Sequence, residues 1–174
     1  MKKKFIEKWE RYAPPGTDVK KQLSCFSGQI LLAVFYALIC FLLRYLTARS
    51  NLYYFTGGQH ILRPNAVMPD FTEMTAHMFL FHVILFFILL GRIAGNYASF
   101  YRGSKSIYLM KRLPDSLERH RRCLALPLAG TAVIVLTAIT ALLICFAVYL
   151  LFTPAECLTP GQWQKLWSVI LCWN

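Results

Sequence analysis

Three apolar runs of membrane length constrain this chain more than anything else in it. The first, residues 25–43, is broken by little more than Ser27 and Gln29. At 1.5 Å per residue a helix of that length extends about 28 Å, close to the thickness of a hydrocarbon core. The second, from about Met74 to Gly95, is interrupted by His77, His82 and Arg92, and the third, Cys123 to Phe152, contains no charged residue. A chain of 174 residues with three such runs is expected to fold as an all-α integral membrane protein with three transmembrane helices.

The charges orient it. Residues 1–24 hold seven Lys and Arg and residues 92–122 hold eight, whereas residues 44–74 hold three and the chain beyond 152 holds one. Cationic flanks stay on the cytoplasmic side. The N-terminus and the loop 96–122 are therefore predicted inside and the C-terminus outside, in a multi-pass protein of the cell membrane. The net charge of +11 is thereby explained by sidedness. The aromatics lie within the apolar runs and at their borders instead of between the basic residues, which points away from nucleic acid. Segment one is followed by LTARSN and no small-residue cleavage site, so it is expected to be retained.

Around the spans the chain divides into a leader, residues 1–24, a membrane domain, residues 25–152, and a tail, residues 153–174. In the leader Phe5, Ile6, Trp9 and Tyr12 share one helical face while Lys2, Lys3, Lys4, Lys8 and Arg11 cover the other. That is the pattern of an amphipathic helix lying on an anionic leaflet, with Pro14 to Thr17 as the elbow into segment one; a solvated charged tail is the plainer reading. In the tail, Thr159, Pro160 and Gln162 predict a helix start, after which Trp163, Leu166, Trp167, Ile170 and Leu171 recur on one face. Such a helix is too short to span and suits the outer interface, where tryptophan is favoured. A truncated fourth span is the competing reading. Of the six cysteines only Cys157 and Cys172 are placed to meet an oxidising exterior, allowing one bridge at most.

The loop at roughly 47–69 is rich in Tyr, Gly, Asn and Pro, shows no periodicity, and is expected to be an irregular short ectodomain or a cap on the bundle. Asp70 and Glu73 then predict a capping box that opens segment two. Asp70, Glu73 and His77 would also share a face, as an O,O,N metal site requires, yet capping accounts for both acids without a metal. His77 and His82 are candidates for an intramembrane polar site, because hydrocarbon tolerates an ionisable group only when it is neutral or partnered. Gly91 and Gly95 form a GxxxG pair, and Ala125 and Ala129 give segment three a similar small face, so these four are candidate helix-packing positions. Pro127 predicts a kink.

The loop between segments two and three reads as helix, proline, helix. Ile107, Met110 and Leu113 share a face of a short helix from Ser104, Pro114 ends it, and Asp115 with Glu118 predicts the start of the next. A short amphipathic helix between two spans suits a groove on a cytosolic partner; a basic loop that sets topology and binds anionic lipid is the alternative. The stretch SIYLMKRLPDSLERHRRCLALPL resembles the coupling-helix region of type-two ATP-binding-cassette exporter permeases, in which a short helix precedes a Leu-Pro-x-Ser step and the third span. The order of amphipathic leader, two spans, cytoplasmic coupling helix and third span is similar as well. Those permeases usually have six spans per unit, so the resemblance implies a half-size permease or accessory subunit, homo- or hetero-oligomeric.

The resemblance further implies docking of a separate ATPase through residues 104–113. Ile107, Tyr108, Met110 and Leu113 would be packing anchors, and Lys105, Lys111 and Arg112 polar contacts. ATP would belong to that partner and no cofactor to this chain. Gly103-Ser-Lys-Ser is similar to the end of a phosphate-binding loop but lacks the GxxxxGK[ST] spacing, and no GxSxG or HExxH is present. A non-catalytic subunit is therefore expected. A small structural or regulatory membrane protein, or an intramembrane enzyme using His77 or His82, are the readings it displaces.

Overall fold

A computed structural model describes residues 18–56, 59–64, 66–102 and 116–171. The chain is mostly helical. Helix α1 runs Val19–Leu52, α2 Phe71–Thr75, α3 Leu80–Arg102, α4 Ser116–Phe152 and α5 Gln162–Leu171, with a 3₁₀ turn at Ala155–Cys157. Three of them, α1, α3 and α4, are long and apolar enough to cross a membrane.

These three are apolar on nearly every side. Leu31 is 70% exposed and Leu151 80% exposed, and Phe35, Phe87 and Leu136 are similarly uncovered. A water-soluble helix hides one apolar stripe; helices that leave this much apolar surface bare are matched to hydrocarbon. Helix α1 begins earlier than the apolar run because Asp18 caps it, its Oδ1 accepting from the Lys21 backbone N–H at 3.0 Å.

The segment between α1 and α2 differs from expectation. In place of an irregular loop, β1 (Tyr53–Thr56) and β2 (Gln59–Leu62) pair antiparallel in the register Tyr53↔Leu62 through Thr56↔Gln59. The all-helical expectation is corrected to a helical protein with one hairpin. Its sequence signal is the Gly57-Gly58 pair between two short runs rich in aromatic and aliphatic residues, the composition of a two-residue hairpin connection.

The start of the second span is also displaced. A short helix covers Phe71–Thr75, the chain breaks at His77 with φ 64°, and α3 begins only at Leu80. The left-handed conformation cannot continue a helix, and His is among the few side chains that adopt it with some frequency.

The chain divides into two packed units, each described separately: Met1–Leu32 with His82–Leu136, and Ala33–Phe81 with Thr137–Asn174. In the second, Phe71 is fully buried and lies edge-on to Phe146 at 5.1 Å, with Phe41 and Tyr149 around it. Met68, Met78 and Leu166 complete this core. In the first, the helices approach closely at Gly130, where an added Cβ would lie 3.1 Å from Leu89 Cδ1 and 3.1 Å from Phe26 Cζ.

Candidate functional site

Two polar clusters stand out among the described residues, one in each unit. The first gathers on Asp70. Lys165 Nζ and Thr159 Oγ1 each donate to Asp70 Oδ1 at 2.7 Å, and Lys165 Nζ also donates to Thr159 Oγ1 at 3.1 Å. Gln162 Nε2 donates to the Thr159 carbonyl at 3.0 Å and to its hydroxyl. The hydroxyl thus spends its one proton on Asp70 and its lone pairs on Lys165 and Gln162. Tyr149 Oη donates to the Pro69 carbonyl at 3.0 Å, and the Met68 N–H to the Cys157 carbonyl at 2.9 Å. The hydrogen bonds from Lys165 and then Thr159 hold the Asp70 carboxyl below the usual carboxylate range; desolvation opposes them and the Lys165 charge adds to them.

This arrangement corrects the capping expectation. Asp70 occupies the N-cap position of α2 but makes no side-chain cap bond, since its carboxylate is engaged by α5 and the turn before it. Nor does it stand in an O,O,N set: no three His, Cys, Asp or Glu side chains among the described residues are grouped to hold a metal. Chemically the cluster is a clasp that fastens the start of α2 to the start of α5. Arg44 Nη1 adds a further tie from α1, donating to the Glu73 carbonyl at 3.0 Å.

The second cluster lies on α3 and α4. Pro127 sits inside α4, and its missing N–H frees the carbonyl of Cys123 four residues back. Asn96 Nδ2 donates to that carbonyl at 3.1 Å. Thr131 Oγ1 donates to the Pro127 carbonyl at 3.0 Å, and Tyr97 Oη lies 2.8 Å from His120 Nδ1. The expected proline is thus accommodated in a helix that continues through it, with a neighbouring side chain supplying the lost donor, as apolar surroundings demand. Asn96 carried no motif in the sequence; its role depends on which carbonyl it meets.

The remaining candidates are placed as follows. His82 is buried on α3, whereas His77 is exposed and precedes that helix. Gly91 and Gly95 are exposed, and an added Cβ at either would meet nothing within 4 Å among the described residues. Ala125 and Ala129 are half-buried on α4. Cys157 is a buried free thiol, and Cys172 lies outside the described residues. The leader helix and the docking residues Lys105, Ile107, Tyr108, Met110, Lys111, Arg112 and Leu113 also lie outside them. In the tail, α5 is shorter than expected at its start and turns Leu166 inward while Trp163, at 63% exposure, and Trp167 point out.

Comparison with known proteins finds no matching family model, no matching curated protein and no matching solved structure.

Proposed function

We propose that this chain is a non-catalytic, three-span membrane subunit that couples to a separate ATP-binding-cassette ATPase through residues 104–113. The observation that carries the reading is the interval between α3 and α4. Two span-length helices are joined by a short basic stretch whose sequence carries the Leu113-Pro114-Asp115 step. In the sequence that proline step is expected to end one helix and open the next, and a short amphipathic segment between two spans is what a groove-docking element needs. The sequence likeness to exporter permeases supplies the kind of partner, and the charge bias supplies the side on which it is met.

The test is retention of an ATPase. Tagged full-length chain extracted in mild detergent is expected to co-purify an ATP-binding-cassette ATPase. Changing Ile107 and Met110 together to Asp should abolish that retention while membrane levels stay normal, because the orienting cations remain. Unchanged co-purification in the double variant would refute the docking role.

A further inference from the structure

The first unit contains a cavity of about 290 Å³. Phe26 and Ile30 of α1, Leu89 of α3 and Val133 of α4 form apolar walls, and Arg92 and Gln22 are its principal polar lining. The volume is at the small end of ligand pockets, enough for a stretch of one hydrocarbon chain and too little for a whole lipid.

Arg92 decides what the cavity suits. It is half-buried in the spanning part of α3, and among the described residues it makes no hydrogen bond and no ion pair. The neighbouring Asn96 amide already gives one of its two N–H donors to the Cys123 carbonyl, and being neutral it offers an anion no countercharge. A guanidinium against apolar walls is costly unless an anion meets it, and its planar fork matches the oxygens of a phosphate. Lys20 and Lys21 stand beside Gln22 in the chain, and Arg121 and Arg122 precede the wall residues of α4, so the surrounding ends are cationic too. An apolar slot with a half-buried cation in its lining, unpaired among the described residues, matches the two parts of an amphiphile.

We propose that this cavity holds a stretch of one acyl chain of an anionic phospholipid whose phosphate is received by Arg92. The membrane supplies that ligand at high local concentration, and the bound chain replaces missing contacts along Phe26, Leu89 and Val133. The inference does not depend on ATPase docking, because the cavity and the loop 104–113 share no residue.

Native mass spectrometry of the full-length chain tests it. The protein is reconstituted in phosphatidylcholine vesicles doped with phosphatidylglycerol and released into mild detergent. The parent should carry phosphatidylglycerol in preference to phosphatidylcholine. Arg92→Gln should lower that preference about fivefold, the worth of one cation against an anionic headgroup, and Arg92→Lys should keep most of it. Ala129→Phe, which places bulk in the cavity, should lose the retained lipid, with helicity checked by circular dichroism. Arg49→Gln, at the other end of α1, should behave as the parent. Equal retention by the parent, Arg92→Gln and Ala129→Phe would overturn the proposal. So would displacement of the lipid by inorganic phosphate alone, since the acyl chain would then contribute nothing.

Discussion

Asn96 shows how one side chain becomes necessary because of another far away in sequence. Pro127 is legible as a helix disturbance from sequence alone, since a proline nitrogen cannot donate. The remedy is not legible, because the freed carbonyl of Cys123 belongs to α4 and the donor to α3. Removing the amide by Asn96→Leu should destabilise the protein by about 1 kcal/mol, the usual worth of such a bond. Restoring the backbone donor by Pro127→Ala should make the same substitution nearly silent. Detergent unfolding of the two single variants and the double variant measures this coupling, and equal costs of Asn96→Leu in both backgrounds would show that the carbonyl bond is not what holds Asn96.

At the scale of elements, the clasp between α2 and α5 is the feature with a pH dependence. The Asp70 carboxyl has its pKa lowered in the folded chain. Its contribution is therefore complete above the ordinary carboxylate value, about 3.9, and is lost as pH falls below that value and through the lowered one. With Lys165 and Asp70 side chains 30% and 35% exposed, the ion pair contributes at the modest level of surface pairs, about 1 kcal/mol or less. Tryptophan fluorescence of the detergent-solubilised chain, reporting through Trp163 and Trp167, should change in a step below about pH 4. Asp70→Asn should lack that step. Elements were unevenly legible: the helix starts at Val19 and Phe71 both follow an acid, yet of the two only Asp18 caps, because Lys165 reaches Asp70 from ninety-five residues away.

For the whole molecule the testable quantity is sidedness. The fifteen-to-four division of cations predicts that a membrane-impermeant thiol reagent applied to intact cells will label Glu156→Cys, an exposed position after α4, and spare Ser104→Cys. The opposite pattern would invert the proposed topology and remove the cytosolic docking surface with it. The number of long apolar helices was determined by the sequence itself, because twenty or so apolar residues in one run satisfy their backbone internally whatever surrounds them. The break at His77, the engagement of Asp70 by Lys165 and the answer of Asn96 to Pro127 were decided only by tertiary structure. Each depends on a partner supplied by another part of the chain, or on a local backbone choice worth so little that packing tips it.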